Sequence, residues 1–278
     1  MLPAIIILGS LGLLFGAGLY IASRVFHVNI DPRIERVESA LPGANCGACG
    51  LAGCGGFARA IVHGSADVTG CIPGGESIAH LIADIMGVKA KEIDKHVAVL
   101  HCGGRDVANR FEYVGIRTCN AATLFQGGPK ACLYGCIGFG DCAIACPFGA
   151  ITMVDDFPVV DETKCTSCGK CVDACPKDLY DLRSFKKLVH VACRSHDTGK
   201  VTRSVCKVGC IACKKCEIVC QFDAIHVEDN LAVMDYEKCT SCGKCVAECP
   251  TNTILNFREE RKAKGLWPVK TVAHSSPL

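Results

Sequence analysis

The run Cys239-x-x-Cys242-x-x-Cys245-x-x-x-Cys249-Pro250 constrains this chain more than any other feature. Three thiols two residues apart can wrap one face of an iron–sulfur cubane, with the loop N–H groups aimed at its sulfurs. A fourth cysteine one helical turn on faces away and ligates a neighbouring cluster, which is the bacterial two-cluster ferredoxin spacing. Pro250 has no N–H to donate and fixes the turn beside the metal. Cys165, Cys168, Cys171, Cys175 and Pro176 repeat the run. Cys210, Cys213, Cys216 and Cys220 repeat it again, with Gln221 in place of the proline. A further run, Cys132, Cys136, Cys142 and Cys146-Pro147, is irregular, because Phe139 stands where the spacing calls for a cysteine. Structural zinc prefers two separated Cys-x-x-Cys pairs, so the triplets point to iron–sulfur clusters instead.

These runs belong to an internal repeat. Cys165 to Val172 recurs residue for residue at Cys239 to Val246. The same offset of 74 carries Cys136 to Cys210, Cys142 to Cys216, Cys146 to Cys220 and Asp161 to Asp235. Between the cysteine loops of each copy lie two strand-like runs. They are Ala150 to Val154 and Pro158 to Val160 in one copy, Ala224 to Val227 and Leu231 to Met234 in the other. Polar turns at Asp155-Asp156 and Glu228-Asp229-Asn230 make each pair a hairpin.

Crossed ligation then gives each copy two [4Fe–4S] clusters. The expected sets are Cys132, Cys136, Cys142 and Cys175; Cys165, Cys168, Cys171 and Cys146; Cys210, Cys213, Cys216 and Cys249; and Cys239, Cys242, Cys245 and Cys220. Cys132 enters as the replacement for the cysteine missing at position 139. A separate set, Cys46-x2-Cys49-x4-Cys54-x16-Cys71, sits among Gly47, Gly50, Gly53, Gly55 and Gly56. Glycines let backbone N–H groups approach a cluster, so a fifth site is expected there. Of the 24 cysteines, Cys102, Cys119, Cys193 and Cys206 remain, and they read as small buried hydrophobes. Cys206, four residues before Cys210, is the first candidate among them for an alternative ligand.

The chain opens with no charged residue from Leu2 to Ser23. That is long enough to cross a bilayer core as a helix, and it exceeds the apolar region of a signal peptide. Arg24, Arg33 and Arg36 follow it and no basic residue precedes it, which places the C-terminal bulk in the cytoplasm. In that reducing compartment thiols serve metals rather than disulfides. Gly12 and Gly16 could admit a second membrane helix, or be the glycines common in spanning segments.

The expected fold is α+β, in seven segments. They are a transmembrane anchor (1–25), a four-cysteine [4Fe–4S] domain (26–90), a connector (91–128), a two-cluster ferredoxin module (129–182), a linker or insert (183–204), a second two-cluster module (205–257) and a tail (258–278). In the four-cysteine domain, Glu76 to Met86 reads as a helix with Ile78, Leu81, Ile82 and Ile85 on one face, ending at Gly87. A net charge of +2 shows no basic excess of the kind nucleic-acid binders carry. No glycine-rich nucleotide fingerprint or Walker loop is present. His63, His80, His96 and His101 show no paired ligand spacing and read as surface or packing residues. The chain therefore has many electron carriers and no catalytic residues of its own.

A membrane helix, then Cys-x2-Cys-x4-Cys-x16-Cys, then tandem two-cluster modules, resembles the B-subunit family of Rnf complexes over nearly the whole chain. Two modules match the longer forms from anaerobes, where shorter members carry one. The N-terminal cysteine set is similar to a small domain also seen in corrinoid iron–sulfur proteins. The resemblance implies an electron-carrying subunit of a membrane oxidoreductase that passes electrons between ferredoxin and NAD, coupled to sodium or proton translocation. Soluble ferredoxin and the complex's other membrane subunits are the implied partners, and flavin and nucleotide chemistry lies in those other subunits. Lys207, Lys214, Lys215 and Lys244 could form a docking face for an acidic ferredoxin, or be ordinary solvated lysines. Rival readings are a membrane polyferredoxin serving another enzyme such as a hydrogenase, a redox sensor, and a corrinoid methyl-transfer protein. The last would need a cobalamin domain, for which no segment is long enough.

Overall fold

The computed structural model describes residues 2–26, 31–91 and 94–264; the tail segment 265–278, with Trp267, Pro268 and Pro277, lies outside them. Helix α1 (Leu2–Val25) contains a 20-residue apolar span, Ile6–Val25, none of it buried. A helix that is apolar all round and has no protein packed on it suits a lipid environment, and this one is long enough to cross a bilayer.

Three helices build the four-cysteine domain. Helix α2 (Pro32–Ala40) starts with Asp31 as cap, its carboxylate accepting from Arg33 N at 2.9 Å, and with proline in the first turn. It packs on α3 (Gly53–Val62) and α4 (Gly75–Met86). Ile34, Val37, Phe57, Ile61 and Ile82 form the core, with the Cys71 side chain among them. Helix α4 ends where expected, at Gly87 with φ +67°. Its apolar face is narrower than the sequence suggested. Ile78, Ile82 and Ile85 face the core, whereas Leu81 is 51 % exposed.

Two ferredoxin-like units follow. The first is opened by β1 (His96–Leu100), and α5 (Cys119–Leu124) and α6 (Asp141–Ile144) come before its hairpin. That hairpin pairs β2 (Ile151–Val154) with β3 (Phe157–Val160) across Asp155-Asp156, both at positive φ. Such residues turn a two-residue loop with the hand that suits twisted strands. After α7 (Lys170–Ala174), β4 (Tyr180–Ser184) returns to pair with β1. The second unit repeats the plan. It is opened by β5 (Val189–Val191), followed by α8 (Gly199–Val205) and α9 (Lys215–Val219). Its hairpin joins β6 (Ile225–Glu228) to β7 (Leu231–Met234) across Asp229-Asn230. After α10 (Lys244–Ala247), β8 (Ile254–Asn256) returns to β5. Helix α11 (Arg258–Ala263) begins the tail.

Strands β1 and β5 lie within the segments read from sequence as connector and linker. A lone short strand whose partner lies beyond two cysteine loops gives no hairpin signal. Each unit's core is small, and its cysteines are part of it: Cys142 and Cys171 in the first, Cys210, Cys216 and Cys245 in the second. The units are also fastened to each other. Gly103 N donates to Ala192 O at 3.0 Å, and the His101 ring, held at 3.1 Å by Asp181 of its own unit, meets Val191 O at 2.7 Å.

Candidate metal centres

In every cysteine loop of the ferredoxin-like units, left-handed backbone curls the N–H groups inward. The residue before the short helix carrying the third cysteine is Gly140, Gly169, Lys214 or Gly243, all at positive φ. A second left-handed residue stands two places after Cys136, Cys165, Cys210 and Cys239, at Gly138, Ser167, Ala212 and Ser241. The sulfurs collect the resulting hydrogen bonds. Ala150 N donates to Cys146 Sγ at 3.3 Å, while Ala224 N to Cys220 and Ser241 N to Cys239 are each 3.4 Å. Ala98 N of β1 reaches Cys165 Sγ at 3.4 Å. The Tyr180 hydroxyl donates to Cys142 Sγ at 3.5 Å; its repeat equivalent is Ile254, so this bond has no counterpart in the second unit.

Four cavities lie inside these loops. Cys146, Cys165, Cys168 and Cys171 line one with about 320 Å³ of empty space. Cys210, Cys213, Cys216 and Cys249 line another of about 340 Å³. Cys220, Cys239, Cys242 and Cys245 line a third of about 340 Å³. These three sets are the ones the spacing predicts. The fourth cavity, about 370 Å³, is lined by Cys136, Cys142 and Cys175 together with Cys119, not Cys132.

Asp141 explains the exchange. Its carboxylate accepts from Cys119 N at 2.9 Å and Asn120 N at 3.2 Å, anchoring the start of α5 beside Cys142. Thr118 completes the cap by accepting from Ala121 N at 3.2 Å. Cys119 precedes Cys136 by seventeen residues, too far for any local spacing to mark it. Cys132 faces a fifth cavity, of about 350 Å³, with Cys102, Cys193 and Cys206.

The N-terminal set also converges. Burial raises the pKa of the Cys71 thiol, and Cys54, Cys46 and Cys49 act on it as neighbours. The Asn45 side chain accepts from Cys54 N at 2.8 Å and holds that loop.

Without iron these thiols resist ionisation. Burial first, then neighbouring cysteines, pushes Cys171 and Cys216 up to about 12 and Cys245 up to about 11. Cys249 goes the other way. Burial opposes its charge, but N–H groups of Thr251, Ile254 and Thr253 together hold its pKa below the ordinary thiol value. A bound iron centre supplies the positive charge that turns such thiols into thiolates. Among the described residues, no group of three or more His, Cys, Asp or Glu side chains converges as the ligands of a single metal ion would. Cysteines that ring a cavity lined with N–H donors suit a polynuclear cluster instead.

The sets adjoin one another. The Cys168 thiol, raised chiefly by burial, also feels Cys46 of the N-terminal set. Cys171 feels Cys142, and Cys216 feels Cys245, so the two sites within each unit are neighbours.

Comparison with known proteins agrees with this layout. The FeS family, an Fe–S cluster domain, matches residues 41–73. A 4Fe-4S dicluster domain matches 135–179, and a 4Fe-4S binding domain matches 232–255. The B subunit of the Na(+)-translocating ferredoxin:NAD(+) oxidoreductase complex of Acetobacterium woodii is 49 % identical over 92 % of this chain and 78 % of its own length. Its counterpart in the ion-translocating oxidoreductase complex of Methanosarcina acetivorans is 45 % identical over 91 % of this chain and 97 % of its own. The counterpart in the proton-translocating ferredoxin:NAD(+) oxidoreductase complex of Clostridium ljungdahlii is 42 % identical over 90 % of both. The chain is thus an iron–sulfur electron-transfer subunit, and it belongs to the B-subunit family of ion-translocating oxidoreductase complexes.

Proposed function

We propose that this chain takes electrons from reduced soluble ferredoxin and passes them to the membrane subunits of an Rnf-type, ion-translocating ferredoxin:NAD oxidoreductase. Its N-terminal helix sits in the membrane and its bulk on the cytoplasmic side. The five sites of the reading are the N-terminal set and two sites in each ferredoxin-like unit, with Cys119 replacing Cys132 in the first unit. A [4Fe–4S] cluster held there would accept or give one electron at a potential set by its surroundings. The chain's own residues do the rest. Thiolates hold the iron, inward N–H groups stabilise negative charge on sulfur, and the small cores keep water away. The observation that carries the proposal is the adjacency of cysteine sets, with Cys46 of the N-terminal set beside Cys168 of the first unit, Cys171 beside Cys142 within that unit, and Cys216 beside Cys245 within the second.

The second unit is the proposed point of entry. Cys213 and Cys242 are the two exposed cysteines. Lys214 lines the cavity of the first and Lys244 that of the second, at the N-termini of the neighbouring helices α9 and α10. Lys207 and Lys215 are exposed nearby in sequence. Complementary charge of this kind speeds encounter with an acidic partner. Replacing all four lysines by Gln should slow ferredoxin oxidation by roughly tenfold or more at low salt, with the difference vanishing at high salt. Equal rates at low salt would remove this face from the proposal. Failure of ferredoxin to reduce even the unaltered chain would remove the proposal itself.

A further inference from the structure

We propose that Cys102, Cys132, Cys193 and Cys206 bind a sixth [4Fe–4S] cluster, seated between the two ferredoxin-like units. The proposal rests on reading the other cysteine sets as cluster sites. From sequence, Cys102, Cys193 and Cys206 read as small hydrophobes and Cys132 as a ligand elsewhere. The structure instead collects all four around a cavity of about 350 Å³, within the 320–370 Å³ span of the other four.

The two units contribute equally. Cys102 lies two residues past β1 and Cys193 two residues past β5, so equivalent strands deliver one thiol from each side. Cys132 comes from the loop of the first unit that leads to Cys136. Cys206 ends α8 in the second, its N–H held by Thr202 O. The bond from Gly103 N to Ala192 O fixes the two strand ends against each other.

The lining is that of a cluster site, not of a packed apolar pocket. Cys193 Sγ accepts from both Ser195 N and Cys210 N at 3.4 Å. Backbone N–H groups of Cys136 and Gly104 point at the Cys102 sulfur, and those of Tyr134 and Gly135 at Cys132. A Cβ on Gly104 would stand 3.2 Å from Cys206 Sγ and 4.0 Å from Cys102 Sγ. One on Gly135 would stand 3.4 Å from Cys132 Sγ. Glycine therefore keeps open the space that a cluster and its N–H donors need. The neighbours are equally telling. Cys136 belongs to a cysteine set of the first unit and Cys210 to one of the second, and each donates its backbone N–H to a sulfur here. The site fills the one gap in the series of adjoining sets, between the two units.

The test is iron, acid-labile sulfide and zinc per full-length chain, purified anaerobically in detergent and reconstituted. Six cubanes give about 24 iron and about 24 sulfide. Cys193→Ala/Cys206→Ala should then hold about 20 of each, with the remaining iron still in the cubane form by Mössbauer spectroscopy. Cys239→Ala/Cys242→Ala, the control for the underlying reading, should lose about four as well. An unaltered chain holding about 20 iron, with or without one zinc, overturns the sixth site while the control's loss upholds the others. So does an unaltered count of about 24 that the Cys193/Cys206 variant fails to lower. If that variant does not fold, the unaltered chain's count alone decides. Little iron with several zinc ions per chain would overturn both readings together.

Discussion

Arg261→Met offers a sharp test of how the two units are held together. Arg261, on α11, is 1 % exposed. Its guanidinium donates to both Glu162 oxygens at 2.7 Å, a planar fork that crosses from the tail into the first unit. It also donates to the carbonyls of Phe185 and Lys187 and stacks over the Phe185 ring at 4.2 Å. Methionine keeps much of the apolar contact but leaves a mostly buried carboxylate and two carbonyls without a donor. Breaking a buried pair by removing one partner costs about 3–5 kcal/mol. Lysine retains the charge but cannot reproduce the fork, so Arg261→Lys should fall in between.

Loss of iron makes unfolding of such a protein irreversible, so the quantity to measure is a rate. Bleaching of the cluster absorbance in anaerobic guanidinium reports it. If the pair forms after the folding transition state, about 3 kcal/mol appears as roughly a hundredfold faster bleaching. Arg261→Met/Glu162→Leu removes both charges and should recover most of the loss, because apolar replacement of a whole buried pair is often near neutral. An effect below about twofold, the range of an ordinary surface change, would refute this account of Arg261. A double variant as fast as the single one would refute the pairing.

Other consequences are simpler. Lys214 holds φ +60° where the other three loops have glycine, so Lys214→Gly should stabilise the second unit by about 0.5–1 kcal/mol, read as slower bleaching. Faster bleaching would count against a strained loop. Tyr180→Phe removes the hydroxyl bond to Cys142 Sγ and should make the potential of that site more negative in a redox titration, leaving the second unit's sites unmoved. Burial, aided by His101, Arg261 and Arg183, pushes His190 down to about 3. The unfolded chain therefore binds this proton below the ordinary histidine value near 6.5 while the folded chain does not, and stability falls as pH drops. Between pH 7 and pH 5 this amounts to about 2 kcal/mol, which His190→Gln should largely abolish; parallel pH profiles would refute it.

Local spacing alone determined much of this protein. Three thiols two residues apart and a fourth one turn later can meet a cluster only as the two-cluster ferredoxin does. Cys165 to Cys175 and Cys239 to Cys249 were therefore legible as candidate cluster loops without coordinates, as were the 74-residue repeat, both hairpins and the apolar N-terminal helix. Leu81 marks one limit of that legibility, since a helical period shows which residues share a stripe but not how wide a stripe its neighbours cover. Tertiary structure decided what local spacing could not. Cys119 joins Cys136 only because Asp141 pins the start of α5 beside it. Cys102 and Cys193 are 91 residues apart and meet because β1 and β5, each paired with a distant returning strand, end side by side. Thiols on one loop are positioned by backbone geometry that a short motif encodes. Thiols brought together from four segments are positioned by strand pairing and by packing between units, which no motif records.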